Sequence, residues 1–133
     1  MKIDSFSGYP NCGAKSEAVL RVLRHYALVD KGDFLSVVDL YAPDAVYYRP
    51  GYDPFFGRAA ITDFYTRVRP IRDCRHTLTT AVAHGESVAV HGEFHGADMN
   101  GESMELRFSD FFVLRADNRF VRRDTFFFVP YRK

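Results

Sequence analysis

Two hydrophobic periods divide this chain. After Ser16, the apolar residues Val19, Leu23, Tyr26 and Ala27 recur at helical spacing, with Arg21, Arg24 and Lys31 mostly on other faces, which predicts an amphipathic helix. Ser16 is its expected N-cap. Gly32 in "DKGD" suits the left-handed position that ends a helix, and Asp33 suits the cap of a second, short helix over "FLSVVDLYA". Ala45 to Tyr48 reads as a strand, and Pro50, Gly51 and Pro54 as an aromatic loop. A third helix is expected after Gly57, with Ile61, Phe64, Tyr65 and Val68 on one face and Pro70 as terminator. From Arg75 onward the period drops to two. "RHTLTTAVAH", "SVAVHGEFHG", "SMELRFSDFFVLR" and "RFVRRDTFFFVP" read as strands, separated by the turn-type runs "HGE", "ADMNGE" and "ADN".

Helices followed by an antiparallel meander make an α+β layout, in which one sheet face takes the helices. Residues 1–15 are rich in Gly, Ser, Pro and Asn and read as a flexible N-terminal arm. Residues 16–133 read as a single domain, and 133 residues suit one core.

Composition narrows the partners. The chain is 47% hydrophobic, with 13 Phe, 8 Tyr and no Trp, and its formal net charge is +1. Basic residues do not cluster into a patch, which argues against nucleic acid. The apolar runs are too short for a membrane span, and the N-terminus has no apolar signal core. Cys12 and Cys74 lack metal-type spacing; they read as free thiols of a cytoplasmic protein, with a disulfide as the alternative.

The run "VDKGDFLSVVDLYAPDAVYY", then "GRAAITDFY", then "DFFVLRADNRFVRRDTFFF", resembles the nuclear-transport-factor-2-like superfamily. Within it, the nearest groups are the SnoaL-like polyketide cyclases and the ketosteroid isomerases. The resemblance covers roughly residues 16 to 130. It implies a cone, a cystatin-like α+β barrel whose curved antiparallel sheet wraps around three N-terminal helices. It also implies a deep pocket at the open end and a homodimer through the outer sheet face.

Candidate chemistry follows from that alignment. Arg49 falls where the isomerases keep their base aspartate, so a group that cannot titrate replaces one that does. It either holds an anionic ligand oxygen inside an aromatic wall, with Tyr47, Tyr52 and Phe56, or leaves the loop to stack on Tyr47 or Tyr52. Asp110 falls where the isomerases keep a protonated carboxylic acid, in a phenylalanine-rich row with Phe112, and Phe112 and Arg123 are expected ligand contacts beside it. Burial would raise its pKa, whereas a salt bridge to Arg123 on the next strand would keep it ionised. His25 falls at the isomerase oxyanion tyrosine and is a candidate donor, acid or base, or else a surface-flank histidine.

His91, Glu93 and His95 share one side of a strand. They are either a polar cluster at the pocket, with His95 against the ligand, or a solvated face; the spacing is weak evidence for a metal. Asp124 matches a cyclase acid only if the strand slips by one residue, because direct counting places Thr125 there. The spacing of Arg107 and Asp110 does not put both on one face, which counts against epoxide hydrolysis.

The expected function is a biosynthetic acid–base enzyme of cyclase or isomerase type, acting on an apolar, enolisable or aromatic small molecule. Asp110 and His25 are its expected catalytic groups, and no cofactor or metal is required. The alternative is a non-catalytic ligand-binding or assembly module of the same fold.

Overall fold

The structure, a computed structural model, describes residues 16–128. The N-terminal arm and Cys12 lie outside the described residues. The caps form where local chemistry dictates. Ser16 Oγ accepts from Val19 N at 3.2 Å and opens α1, Glu17–Lys31. Gly32, at φ 81°, closes it in the left-handed conformation. Asp33 accepts from Ser36 N and caps α2, Phe34–Asp39.

The second helix ends earlier than its sequence suggests. Tyr41 and Ala42 belong to β1, Tyr41–Tyr48, which starts four residues before the expected strand. Its exposed Pro43 has no N–H to give a ladder. Pairing with the last strand is accordingly interrupted between Tyr41 and Val46, and the free Tyr41 carbonyl accepts from Arg58 Nε at 3.0 Å. The aromatic loop contains a two-residue strand, β2, Phe55–Phe56, paired with Val46 and Tyr47.

The third helix changes character midway. α3 covers Arg58–Asp63, and a π-helical stretch covers Phe64–Val68. The wider turn, closed by Arg69 N donating to Phe64 O at 2.8 Å, buries Phe64 and Tyr65 and leaves Val68 exposed. Val68 is therefore not on the packed face. It also delivers Arg69 to the inner face of the sheet.

Four long strands follow: β3, Ile71–His84; β4, Ser87–Asp98; β5, Ser103–Leu114; and β6, Phe120–Phe128. They form the expected antiparallel meander, and β1 adds to it in parallel beside β6. The order in the sheet is β2-β1-β6-β5-β4-β3. The sheet curves, and its concave face packs on the helices around a core that includes Val22, Tyr26, Phe64, Phe112 and Phe120. An extra residue, Thr79 of β3, sits between the pairs Leu78–Gly92 and Thr80–His91. Gly92 is required opposite this bulge: a Cβ there would lie 2.5 Å from Thr77 O. No helix among the described residues is long and apolar enough to cross a membrane.

Candidate functional site

Period-two alternation places Phe108, Asp110 and Phe112 of β5 beside Arg123 and Thr125 of β6 on the concave face. Asp110 pairs directly with Thr125, so no register slip occurs, and Asp124 faces outward in a pair with Arg122.

Asp110 is fully buried and accepts from four donors. Arg123 gives it two hydrogen bonds, Nε to Oδ1 at 3.1 Å and Nη2 to Oδ2 at 2.9 Å. The Thr125 hydroxyl adds a short bond to Oδ1, and the Tyr26 hydroxyl a short bond to Oδ2. The expected protonated acid is corrected here. Burial pushes the carboxyl up, but the Arg123 guanidinium and these hydrogen bonds outweigh it and hold it below the ordinary carboxylate range. Asp110 is an anion with its acceptor capacity filled.

Arg123 is equally enclosed. Its Nη1 donates to the hydroxyls of Tyr65, at 2.7 Å, and Tyr41, at 3.1 Å. Its guanidinium lies 4.5 Å from the Tyr47 ring centre and 5.4 Å from that of Phe112. Phe112 thus supports Arg123 from behind.

His25 departs from expectation too. It is completely buried, ringed by Tyr26, Tyr41, Tyr65, Phe112 and Phe120. Its Nε2 lies 2.9 Å from the Tyr41 hydroxyl and 3.5 Å from Arg123 Nη1, while Nδ1 has no hydrogen-bond partner among the described residues. Burial first, then Arg123, pushes its pKa well below the ordinary value, so it is neutral. It stands behind Arg123 rather than on the cavity.

The cavity opens on the other side of Asp110. Its apolar wall is Ile71, Phe94, Leu106, Phe108 and Phe127, and its polar residues are Arg49, Arg69, Asp110, Arg123 and Thr125. It is small, with about 310 Å³ of empty space counted out to its open mouth.

Arg49 is aimed into this cavity, not out of the loop. Its Nη1 donates to the Tyr47 hydroxyl at 3.1 Å, and its guanidinium lies 5.2 Å from the ring centres of both Phe64 and Phe127. Arg69 comes in from the π-helical end, stacked near Phe34 and Tyr65. Among the described residues, neither arginine has a carboxylate within ion-pair distance. The cavity thus holds three guanidinium groups and one carboxylate, and Arg123 already occupies that carboxylate.

Arg69 and Thr125 were not singled out as ligand contacts by sequence. Direct counting did place Thr125 inward, but Arg69 read only as the residue before a helix-ending proline. Five expected contacts do not line the cavity: Tyr47 and Phe112 are buried against Arg123 behind the lining, and the other three lie farther out. Tyr52 packs in the outer aromatic layer against Phe55 and Phe64, and Phe56 is 68% exposed. His95 is on the convex face between Glu93 and Glu105. His91, Glu93 and His95 alternate with inward Val90, Gly92 and Phe94, so their face is the solvated one.

A separate group brings donor atoms of Asp30, Cys74 and His76 within 4.8 Å of one another. Asp30 pairs with His76 Nδ1 at 2.5 Å, and the Arg69 guanidinium stands 3.6 Å from Cys74 Sγ. A metal ion there would face that guanidinium.

A family model described as "SnoaL-like domain" matches residues 22–123. Among curated proteins no sequence matches. The fold is shared with an NTF2-like protein of unknown function from Burkholderia pseudomallei: 22% identity, 84% of this chain and 91% of that one, TM-score 0.77. It is shared with SalBIII, an epoxide hydrolase/cyclase-like enzyme in pyran ring formation in the polyether salinomycin: 21% identity, 85% and 92% coverage, TM-score 0.75. TerC, co-crystallized with polyporic acid, is similar to the same degree, at 22% identity, 84% and 92% coverage and TM-score 0.75. At these identities the likeness is one of fold.

Proposed function

The chain belongs to the SnoaL-like domain family, and from that premise we propose that it is a small acid–base enzyme of cyclase or isomerase type. Its substrate is a compact apolar molecule, aromatic or enolisable, that carries or develops an anionic oxygen, and its setting is biosynthetic. The supporting observation is the charge count of the cavity. Arg123 is held by Asp110, which leaves Arg49 and Arg69 to face a ligand. Guanidiniums fixed beside an apolar wall stabilise an enolate or phenolate as its charge develops. Ring formation by SalBIII and the acid bound to TerC fit this chemistry. Ketosteroid isomerisation itself is outside the proposal, because Arg49 stands where that chemistry keeps its base.

One observation favours the second reading, a ligand-binding module without turnover. Asp110 is saturated and His25 is sealed away, so neither expected catalytic group meets the cavity in a form free to exchange a proton.

Calorimetry with benzoate and benzyl alcohol tests the anion site. Arg49→Met keeps much of the stem volume and removes the charged fork. Benzoate affinity should drop by about 1.5–3 kcal/mol, the size of a hydrogen bond to a charged group. Benzyl alcohol should be little affected. Equal weakening of both would reduce Arg49 to a support for the loop.

A further inference from the structure

A third titratable group stands closer to the cavity than His25 and is less committed than Asp110. Tyr47 lies on β1, two residues before Arg49. Its ring is fully buried against Phe55 and Phe64. Its hydroxyl accepts from Arg49 Nη1 at 3.1 Å and lies 3.3 Å from Thr125 Oγ1. Both of those partners line the cavity.

The charges that face Tyr47 come from three directions. Arg49 lies just beyond its own strand, Arg123 and the neutral Thr125 on β6, and Asp110 on β5. Tyr41, farther back on β1, is a further phenol that interacts with Tyr47, and β2 and the π-helical stretch add the rings of Phe55 and Phe64. Two cations therefore oppose one anion, and that anion is already bound to one of the cations.

The balance is the reverse of that at the other two fully buried tyrosines. Burial raises all three phenols. Tyr26 also faces Asp110, and both it and Tyr41 stay well above the ordinary phenol value. At Tyr47, Arg123 first and Arg49 second outweigh burial and hold the phenol below that value.

We propose that Tyr47 is the group that exchanges protons with the ligand, through the Thr125 hydroxyl that stands between it and the cavity. This rests on the anion-holding reading given above. In the forward step a C–H bond next to a carbonyl breaks. Its electron pair becomes an enolate, whose oxygen faces Arg49 and Arg69. In molecules whose Tyr47 has given up its proton, the proton goes to Thr125 Oγ1, while the hydroxyl's own proton turns from Asp110 to the Tyr47 oxygen, which becomes a phenol. Return of a proton by the same relay, at another carbon, completes an isomerisation. Asp110 stays an anion throughout, and its role is to fix Thr125 and Arg123. Tyr47 acts through Thr125 and is in this sense a positioned proton store.

Two measurements on the full chain decide the matter. The first is alkaline titration followed by tyrosinate absorbance, without ligand. One tyrosinate should form ahead of the others, disappear in Tyr47→Phe and move to higher pH in Arg49→Met. A wild-type curve with no early tyrosinate, or a Tyr47→Phe curve that superimposes on it, overturns the assignment. Because Arg49 is only part-buried, its variant keeps the test valid if the buried substitution disturbs folding.

The second is deuterium exchange into the methylene of phenylpyruvate, an aromatic enolisable acid, followed by proton NMR in heavy water. Wild type should accelerate exchange. Tyr47→Phe and Thr125→Val should slow it by about a hundredfold, the lower range for general acid–base catalysis, with benzoate still bound. Undiminished exchange in Tyr47→Phe, or none in wild type, overturns the exchange role. Failure of wild type to bind benzoate would instead remove the anion-site reading and leave the titration result standing.

Discussion

Arg122 and Arg123 are neighbours on β6, and each holds an aspartate, but on opposite faces of the sheet. Arg123 turns inward to Asp110, and its side chain is 5% exposed. Arg122 turns outward to Asp124, and its side chain is 52% exposed. The two pairs have nearly the same geometry, with contacts of 2.9 and 3.1 Å in each. Their surroundings separate them. The inner pair has lost water and replaced it with the hydroxyls of Tyr26, Tyr41, Tyr65 and Thr125; the outer pair keeps its water. Contact distance alone therefore says little about what an ion pair does.

The sharpest way to break the comparison is Asp110→Asn. The inner guanidinium would keep its buried place and lose its counter-charge, which costs about 3–5 kcal/mol. Chemical denaturation should show that loss. Replacing both partners, Asp110→Leu with Arg123→Met, should be less damaging than Asp110→Asn alone, because no unpaired charge remains. If Asp110→Asn melts like wild type, the pair is not what holds this part of the core.

The outer face carries its own consequence. Phe111, Phe126 and Phe128 are 50%, 50% and 46% exposed, and the first two touch edge to face with centres 5.8 Å apart. A second copy packed sheet to sheet would cover them, so we propose a homodimer through this face. Phe126→Lys should dissociate it, removing about 1.5–3 kcal/mol of apolar burial per protomer. Light scattering that gives a monomer mass for wild type at micromolar concentration would rule the dimer out.

Acid separates the faces further. The pKa of His25 is lowered on folding, so the unfolded chain binds its proton first. Stability should therefore be intact above the unfolded value of about 6.5 and fall as pH drops below it, at up to about 1.4 kcal/mol per pH unit for one proton. His76 is also lowered, mainly by burial, and adds to the slope. Asp110 has a lowered pKa as well, and its contribution disappears only in stronger acid, as pH falls below the ordinary carboxylate value of about 3.9 towards its folded one. Denaturation as a function of pH should show a shallower slope between roughly pH 6.5 and 4 in His25→Phe than in wild type. Identical slopes would mean that His25 is charged in the folded protein.

Sequence carried the parts of this picture that depend on near neighbours. The caps at Ser16, Gly32 and Asp33 need only adjacent residues. The alternation of β5 and β6 placed Asp110, Arg123 and Thr125 on one face by simple parity. Distant contacts were not legible. The helical wheel put His25 at a flank, because it could not show β5 and β6 bringing Phe112 and Phe120 over that flank. The strand identity of Tyr41 and Ala42 depends on β6, eighty residues later. Arg69 reaches the cavity through one π-helical turn that no local pattern announced. Tyr47 was visible as an aromatic wall residue, but the two cations that single it out come from the end of its own strand and from β6.

The smallest expected effect is at the outer pair. Asp124→Asn leaves Arg122 in water and still over the Tyr48 ring, 4.5 Å from its centre. Solvent takes up the charge that the aspartate gave away, so the melting midpoint of a dilute sample should hardly move, and added salt should erase what difference there is. The proposed dimer makes this measurement more informative. Asp124 lies on the same convex face as Phe126 and Phe128, and its side chain is only 22% exposed even in the single chain. If a second copy covers that face, the pair loses its water on association and comes to resemble the inner one. The Asp124→Asn penalty would then grow with protein concentration, and Phe126→Lys would abolish that growth. A penalty that is small at every concentration would keep the outer pair in solvent and place any dimer contact elsewhere.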